Sequence, residues 1–396
     1  MNLTILLDLD DTLLNTNLDA FLPAYLQSLA AELTPAIAPE TVFQALLAGT
    51  RLMNESTDFA HTLEEVFGSV FYPQLNLAKG ELDAAIENFY DNIFPSLAGL
   101  TSQKPTARPF VDWARGRGYR LAIATDPLLP RKAAHHRLRW AGFEPSEFEL
   151  ISSYEDFHFS KMHAAYYGEI LGRLGWPEGA VVMIGNDGAR DIIPAQQIGL
   201  ATYQVDDTAG SESDGGSSPH GDLPGARAWL ESTGLDALTP TLHSAEAVLG
   251  ILSATPAAFQ GLTQNLRAAA WSQSKPGDWS LTELICHLRD TEREIHPMQI
   301  KSFNSAGEPF IPRPDSSVWA SQRDYQHEDG VAALDQFIEA RKETIALLGE
   351  YSVQDWSRKA RHAIFGPTNF LEVVGFMADH DRMHIQQAWG LLHERT

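Results

Sequence analysis

Short apolar runs alternate with amphipathic segments along the first half of the chain. Each run has the length of a strand and is bounded by polar or turn-forming residues, and segments with helical periodicity separate several of them. This alternation predicts an α/β domain whose strands form a parallel sheet. The predicted strands are residues 3–7, 119–124, 148–151, 180–184 and 201–205.

An insert of roughly a hundred residues separates the first two predicted strands. It shows helical periodicity without a clear strand, and it is far longer than an ordinary loop. The pattern therefore predicts a helical layer that is inserted into the sheet domain at residues 16–104. Its predicted helices are residues 18–33, 39–48, 63–67 and 81–92.

The pattern changes near residue 240, after a predicted helix at residues 223–230. Residues 206–222 are rich in Ser, Gly and Asp and offer little apolar surface to bury, so this stretch is predicted to be mobile. Beyond residue 240 the pattern indicates helices only, and four amphipathic helices predict an all-α bundle. The predicted domains are therefore residues 1–240 and 241–396. The predicted bundle helices are residues 256–269, 281–295, 331–348 and 369–392.

The length and the charge agree with this division. A chain of 396 residues exceeds what one hydrophobic core usually serves, so two domains are expected. The net charge is −23, and residues 255–396, with 14 Lys and Arg against 19 Asp and Glu, hold only −5 of it. The first 254 residues therefore hold −18. Because nucleic acid requires a basic surface, we expect no nucleic-acid partner.

The single cysteine, Cys286, excludes a disulfide within the chain and fits a reducing compartment. No apolar run approaches the length of a membrane span, and the N-terminus lacks the basic flank and the cleavage site of a signal peptide. We therefore expect a cytoplasmic protein without a membrane partner. The oligomeric state has no signature in the sequence.

Carboxylates follow directly after the first predicted strand. Asp8 and Asp10 lie two positions apart, and side-chain alternation along an extended chain directs both toward one pocket. Paired carboxylates are what an aspartate-nucleophile phosphatase needs, one to attack phosphorus and a second to protonate the leaving oxygen. Asp and Thr are common in turns, so the stretch Asp8-Leu9-Asp10-Asp11-Thr12 is weak evidence by itself. Three further features accompany it: Thr125 at the end of the second predicted strand, Lys161, and Gly185-Asn186-Asp187-Gly188-Ala189-Arg190-Asp191 after the strand at 180–184.

These four blocks in this order resemble the haloacid dehalogenase (HAD) superfamily of aspartate-nucleophile hydrolases. The resemblance implies a Rossmann-like core at residues 1–15 and 105–240, with a helical cap at residues 16–104. It also implies a Mg²⁺ site, since carboxylate oxygens suit this hard cation. By the resemblance, Asp8 is the nucleophile and a metal ligand, and Asp10 is the general acid/base, with its carbonyl at the metal. Thr125 hydrogen-bonds the phosphoryl group, and Lys161 neutralises charge. Asp187 binds the metal, and Asp191 supports the metal site through a water or Lys161.

Three positions near these blocks raise questions of environment. Asp126 stands where close relatives often have Asn, and its charge would repel a phosphate unless it is paired or turned away. His158 and His163 flank Lys161 and are expected at the surface.

The carboxylates favour phosphoester hydrolysis over dehalogenation. Dehalogenases share the nucleophile, but they lack the metal carboxylates and do not need a residue such as Asp10. We therefore expect a Mg²⁺-dependent phosphatase that acts on a small phosphorylated metabolite through an aspartyl-phosphate. The cap contains no readable code for the alcohol part of the substrate.

Histidines lie at the edge of the apolar stripe of one predicted bundle helix and on the apolar stripe of another. Ser280 to Glu283 is a capping-box pattern that opens the helix carrying His287. His380 and His384 are one turn apart on the apolar stripe of the last helix, so both imidazoles point into the bundle. Buried histidines are costly unless they are paired or bind a metal.

This second pattern resembles the DinB/YfiT-like four-helix bundles and covers about residues 245–396. The resemblance implies that His287, His380 and His384 bind a divalent metal, with one coordination position open as in catalytic sites. Imidazole ligands suit Zn²⁺ or Ni²⁺, and another divalent transition metal also fits. Asp290 and Glu292 are either supports for these ligands or solvated helix charges.

Two alternatives to the phosphatase stay open on the sequence. In the first, the bundle carries the main activity as a metal-dependent thiol transferase or hydrolase, and the HAD-like half is regulatory. In the second, both halves are binding modules that sense metal or phosphate. The sequence does not decide whether the two sites are coupled.

Overall fold

The computed structural model describes residues 3–33, 37–206, 218–275 and 277–393. The chain divides into two compact units, residues 1–167 with 177–240 and residues 168–176 with 241–396. Most of the stretch predicted to be mobile, residues 207–217, lies outside the described residues. Of the helices in the described ranges, none combines the length and the apolarity that crossing a membrane requires.

The first unit is built on a parallel sheet, as the alternating pattern predicts. Its strands occur in the order β5-β4-β1-β6-β7-β8, and β1 lies in the interior with every residue buried. Continuous apolar runs are typical of parallel strands that are covered on both faces. The strands of the first unit are β1 (Leu3–Leu7), β2 (Leu14–Thr16), β3 (Thr101–Gln103), β4 (Arg120–Ile123), β5 (Leu150–Ile151), β6 (Ala180–Gly185), β7 (Ala201–Val205) and β8 (His220–Gly221).

The register aligns the carboxyl ends of three central strands. Leu7 of β1 pairs with Ile123 of β4 on one side and with Ile184 of β6 on the other. The residues that follow these strands therefore meet at one edge of the sheet, which is where ligands bind in open α/β folds. The helices up to residue 232 are α1 (Leu18–Leu33), α2 (Pro39–Glu55), α3 (Leu63–Leu75), α4 (Asp83–Asn88), α5 (Ala107–Gly116), α6 (Arg131–Trp140), α7 (Ala164–Arg173), α8 (Ile193–Gln197) and α9 (Leu223–Ser232).

The insert is helical, as predicted, but a strand lies at each of its ends. β2 and β3 pair antiparallel, which joins the two points where the chain leaves and re-enters the sheet domain. Three-residue strands are too short to show a period, so the sequence pattern could not reveal them. The helix α2 also runs seven residues beyond its predicted end at residue 48. Gly49 weakens the helical pattern there, but a Cβ at this position would lie 2.4 Å from Phe67 of α3, so the glycine permits close packing.

The second unit contains the four predicted long helices. Three of them lie close to the predicted ranges, whereas α10 begins eleven residues earlier than predicted, because Pro256 lies within the helix and does not open it. Proline cannot donate to the carbonyl of residue 252, and the Arg341 Nη1 donates to this Leu252 oxygen instead, at 2.6 Å. The helices of this unit are α10 (Ala245–Thr263), α11 (Ala268–Trp271), α12 (Leu281–Glu294), α13 (His296–Ser302), α14 (Trp319–Gln322), α15 (Gly330–Leu348) and α16 (Phe370–His393).

The prediction of helices only beyond residue 240 is wrong in one respect. Three short strands form a small sheet, in which β10 pairs antiparallel with β11 and parallel with β9. These strands have two to four residues, so they too fall below the length at which alternation is visible. They are β9 (Phe310–Ile311), β10 (Lys359–His362) and β11 (Gly366–Asn369).

Candidate active site and candidate metal centre

Asp8 lies at the carboxyl end of the innermost part of the sheet. Its backbone N–H donates to the Ile184 carbonyl at 2.9 Å, so the residue continues the β1–β6 ladder by one step. The residue is only 6% exposed. A buried carboxylate needs a compensating cation or hydrogen-bond donors.

Lys161 supplies that cation to Asp8 and to Asp191 together. Its Nζ lies 2.6 Å from the Asp8 Oδ1 and forms an ion pair with the Asp191 carboxylate. Burial disfavours the charged lysine, yet Asp191 and Asp8 raise its pKa well above the usual range. Burial and the charge of Asp8 also raise the pKa of Asp191. The structure therefore brings together three of the residues that the sequence singled out, in one buried charged cluster.

Gly185 makes room for this cluster. A Cβ at residue 185 would lie 2.3 Å from the Asp191 Oδ2, a separation that no packing tolerates. The Asp191 Oδ2 accepts the Asp187 N–H at 3.0 Å, which ties the turn after β6 to the cluster. Glycine at this position is therefore a requirement of close approach.

Asp10 is held by two side chains that the sequence analysis did not single out. The Thr16 hydroxyl donates to its Oδ1 at 2.7 Å, and Arg137 of α6 forms an ion pair with its Oδ2. Arg137 is 5% exposed, and this burial lowers the pKa of its guanidinium to about 10 although Asp8 opposes the shift. One signal was available, because Arg137 lies on the same helical face as the buried Ala133.

The turn after Asp10 is built by Asp11. This residue has a positive φ of 54°, a left-handed conformation that Asp adopts more readily than most residues. Its carboxylate accepts the Thr16 N–H at 2.8 Å, and the Lys104 Nζ donates to its carbonyl at 2.8 Å. These contacts hold the chain where it enters the cap.

Thr125 is anchored through its backbone, and its neighbour Asp126 is paired. The Thr125 carbonyl accepts from the Ser152 hydroxyl at 2.6 Å and from the Tyr166 hydroxyl at 2.7 Å. Asp126 forms an ion pair with Arg190 and accepts the Lys161 N–H at 3.2 Å. Burial raises the pKa of Asp126 even so. The repulsion expected of a second carboxylate near a phosphate is therefore offset by Arg190.

Arg190 also reaches the cap. Its Nη1 donates to the Oδ1 of Asn54 in α2 at 3.2 Å, and the His163 Nε2 lies 3.0 Å from the Asn54 carbonyl. Sequence reasoning quoted Arg190 within its motif but gave it no role. The expectation of a surface position is wrong for His158, which is 1% exposed.

The oxygen donors around Asp8 suit Mg²⁺ by their chemistry. Asp8, Asp10 and Asp187 line one cavity of about 480 Å³, and carboxylate and carbonyl oxygens are what this cation prefers. The Asp187 Oδ1 accepts the N–H groups of Ala189 and Arg190 at 2.8 and 3.1 Å, so the carboxylate is fixed in direction. The residues present therefore fit a magnesium ion, with Asp191 engaged by Lys161 instead.

The histidines of the second unit meet at a single point. The His380 Nε2 lies 3.1 Å from the His287 Nε2 and 3.0 Å from the His384 Nε2. Among the described residues, this is the only group of three His, Cys, Asp or Glu ligand atoms that lie within 4.8 Å of one another. Nitrogens bound tetrahedrally to Zn²⁺ at 2.0–2.1 Å are about 3.3 Å apart, which is close to the observed spacing.

Burial favours the neutral form of the three imidazoles. Burial and the neighbouring His384 lower the pKa of His287 to about 4, and burial also lowers the pKa of His380 and of His384. Neutral imidazole is the form that binds a metal. The Gln387 Oε1 lies 2.8 Å from the His384 Nδ1, which orients that ring.

Asp290 and Glu292 of α12 are buried and paired with other groups. Asp290 accepts from Arg289, Arg323 and Tyr325, all at 2.7 Å. Glu292 accepts from Arg341 at 2.7 Å, and its Oε2 lies 2.9 Å from the His296 Nδ1. The interpretation as solvated helix charges is therefore wrong. Neither residue bonds to one of the three histidines among the described contacts.

A cavity of about 1050 Å³ opens beside the histidine cluster. All three histidines line it, together with Trp279, whose ring lies 4.9 Å from that of His287. The capping box is confirmed, since Ser280 accepts from the Glu283 N–H and the Glu283 carboxylate accepts from the Ser280 N–H. Cys286 is fully buried, and burial raises the pKa of its thiol to about 12, which keeps the thiol protonated.

Family models match a segment in each of the two units. A family model for haloacid dehalogenase-like hydrolases matches residues 3–199, and a model for the DinB superfamily matches residues 251–388. No curated protein is similar enough to count as a match.

Several solved structures match parts of the chain. A HAD phosphatase from Thermococcus onnurineus is 19% identical, with a TM-score of 0.40 over 57% of this chain and 97% of its own. A 2-haloacid dehalogenase from Pseudomonas syringae pv. Tomato DC3000 is 23% identical, with a TM-score of 0.40 over 58% of this chain and 99% of its own. YfiT from Bacillus subtilis is 16% identical, with a TM-score of 0.31 over 48% of this chain and 91% of its own. The family models place a haloacid dehalogenase-like hydrolase domain at residues 3–199 and a DinB-superfamily domain at residues 251–388.

Proposed function

We propose that the first module, residues 1–240, is a Mg²⁺-dependent phosphatase that acts through an aspartyl-phosphate on Asp8. The observation that supports this most is the buried cluster of Asp8, Lys161 and Asp191 at the carboxyl edge of the sheet. Asp10 and Thr125 line the same cavity. A nucleophile, a cation and a second carboxylate are thus available to one bound phosphoryl group.

Asp8 would attack the phosphorus atom, and the bond from phosphorus to the ester oxygen would break. Lys161 holds the Asp8 carboxylate and would neutralise part of the phosphoryl charge. The Thr125 hydroxyl would donate to a phosphoryl oxygen. Mg²⁺ bound by Asp8, the Asp10 carbonyl and Asp187 would supply further charge neutralisation.

Asp10 would serve both half-reactions. It would give a proton to the leaving alkoxide in the first step, and in the second step it would take a proton from the water that attacks the aspartyl-phosphate. The second step breaks the bond from phosphorus to the Asp8 oxygen and releases inorganic phosphate. Thr16 and Arg137 position the Asp10 carboxylate for this work.

The test is phosphate release from a panel of small phosphomonoesters with Mg²⁺. We expect release by the wild type and a loss of at least about a thousandfold in Asp8→Asn, because the nucleophile is removed. Asp236→Asn is the matched control, since Asp236 is an exposed aspartate of the same module. Equal release by the wild type and Asp8→Asn, both folded, would show that this site does not hydrolyse esters.

We propose that the second module, residues 241–396, holds one divalent transition metal on His287, His380 and His384. The cavity beside the three rings gives a ligand access to a fourth position, which favours a catalytic metal over a structural one. This observation keeps a metal-dependent hydrolase or thiol transferase as the second candidate function. Zn²⁺ and Ni²⁺ are the metals we expect.

Metal analysis of the purified protein tests the second proposal. We expect one equivalent of transition metal in the wild type and in His327→Gln, an exposed histidine of the same unit. His380→Leu should lose the metal, because His380 lies between the other two ligands and Leu suits the apolar stripe of α16. Metal content that is unchanged in His380→Leu would exclude the site.

A further inference from the structure

The wall that the cap contributes to the carboxylate cavity is apolar. Sixteen of the described residues between 18 and 90 line the cavity, and none of them is charged. Fourteen are aliphatic or aromatic, and only Thr50 and Asn54 are of another kind. All charged groups of the lining come from residues of the sheet domain, at the end where Asp8 lies.

Three of the four polar side chains of this wall already have partners, namely Tyr25, Tyr90 and Asn54. The hydroxyls of Tyr25 and Tyr90 lie 2.8 Å from each other within the cap. The Asn54 amide nitrogen donates to the Thr50 carbonyl at 3.0 Å, and its oxygen accepts from Arg190. The wall therefore offers little hydrogen bonding to a sugar or polyol, and a buried hydroxyl without a partner costs about 1–3 kcal/mol.

Leucines of the cavity wall also reach the surface of the cap. Leu18 and Leu22 of α1 are 53% and 52% exposed, and Leu47 of α2 is 43% exposed. All three line the cavity. Apolar side chains in such positions are typical of a binding site for an apolar ligand.

We propose that the substrate of the first module is the phosphomonoester of an apolar alcohol, such as an alkyl or aryl alcohol. This inference rests on the proposed phosphatase function. The phosphoryl group would lie at the charged end with Asp8 and Lys161, and the hydrocarbon would lie against the cap wall. Each methylene that leaves water for this wall improves binding by up to about fourfold.

The first experiment compares alcohols at constant phosphate chemistry. With the full chain and Mg²⁺, kcat/KM for phosphate release is measured on octyl phosphate, phenyl phosphate, glycerol 3-phosphate and glucose 6-phosphate. We expect octyl phosphate to exceed both polar esters by at least about tenfold, because only its alcohol gains from the apolar wall. Preference for a polar ester, with Asp8→Asn inactive, would overturn the inference and leave the phosphatase intact.

The second experiment localises the preference to the wall. Leu47→Gln should raise the KM for octyl phosphate by about threefold to tenfold, and more than the KM for the shorter phenyl phosphate. Phe43→Gln is the matched control, because Phe43 lies one turn away on α2, is 36% exposed and does not line the cavity. Equal effects of the two substitutions would contradict the proposed position of the hydrocarbon.

Binding of an ester mimic separates the inference from turnover. Octylphosphonate and methylphosphonate, which cannot be hydrolysed, are titrated into the Mg²⁺-loaded protein by calorimetry. We expect octylphosphonate to bind at least about thirtyfold more tightly, with a loss in Leu47→Gln and none in Phe43→Gln. Equal affinity for the two phosphonates would overturn the inference, whereas absent turnover with intact octylphosphonate binding would count against the phosphatase alone.

Discussion

Gly185 allows the backbone to pass directly beside the Asp191 carboxylate of the candidate active site. Because a Cβ here would lie 2.3 Å from the Asp191 carboxylate, Gly185→Ala must displace Asp191 or the turn after β6. We expect a loss of about 1–3 kcal/mol in the free energy of unfolding, typical of overpacking, together with lower kcat for phosphate release. Urea denaturation and phosphate release measure the two effects. Gly99→Ala serves as control, since a Cβ at residue 99 meets nothing within 4 Å.

Lys161 should link stability to pH. Burial and Asp8 raise the pKa of Asp191 above its unfolded value. Its contribution to the free energy of unfolding is therefore full below the unfolded pKa and is lost as the pH rises through the folded pKa. In Lys161→Met the compensating charge is gone, and we expect a loss of about 3–5 kcal/mol at pH 8 that shrinks as the pH falls toward 5. Urea denaturation at both pH values tests this, with the exposed Lys79→Met as control. A loss of equal size at both values would contradict it.

At the residue scale, the sequence revealed the carboxylates and Lys161 but not their arginine partners. Asp8 and Asp191 come shortly after predicted strands, and Lys161 was identified by its spacing from the neighbouring motifs. Both signals can be read from the sequence alone. Arg137 and Arg190 act across 127 and 64 residues, on Asp10 and Asp126. Analysis of apolar periodicity treats arginine as polar and therefore predicts that it is exposed. It cannot predict that an arginine is buried, nor which carboxylate it pairs with.

At the scale of elements, Pro256 and Arg341 act together in joining α10 to α15. The proline leaves the Leu252 carbonyl without a helical donor, and Arg341 satisfies it while pairing with Glu292 and Asp381. Arg341→Met should therefore cost about 3–5 kcal/mol, because two buried carboxylates lose their cation. Thermal or urea unfolding measures the loss, and Lys342→Met, the partly exposed neighbour, should change stability by less than about 1 kcal/mol. Similar losses of stability in both variants would contradict the proposed role of Arg341.

The sequence predicted the bounds correctly for elements with clear ends. β1 and β7 match their predicted ranges, and α1 does too, because each combines a sustained apolar period with clear ends. The strands of two to four residues at the base of the cap and in the second unit were missed. They are held by pairing with distant segments, and no local period encodes such pairing.

At the scale of the whole molecule, composition and pattern divided the chain into two modules but left the relation of their chemistry open. Every residue of the carboxylate site lies in the first compact unit, and every histidine of the metal site lies in the second. Two separate sets of ligands also differ in kind, with oxygens in one and imidazole nitrogens in the other. Each set would favour a different class of metal.

We therefore expect that a substitution in one site leaves the function of the other site unchanged. His380→Leu should lose the transition metal yet keep kcat/KM for phosphate release within about twofold of the wild type, since it removes no group from the carboxylate cavity. Asp8→Asn should lose phosphate release and keep a full equivalent of transition metal. Metal content and phosphate release are measured on the wild type, on these two variants and on the controls His327→Gln and Asp236→Asn. Phosphate release that falls with the metal content in His380→Leu would mean that the histidine site governs the hydrolase, because no residue of the carboxylate site is altered in that variant.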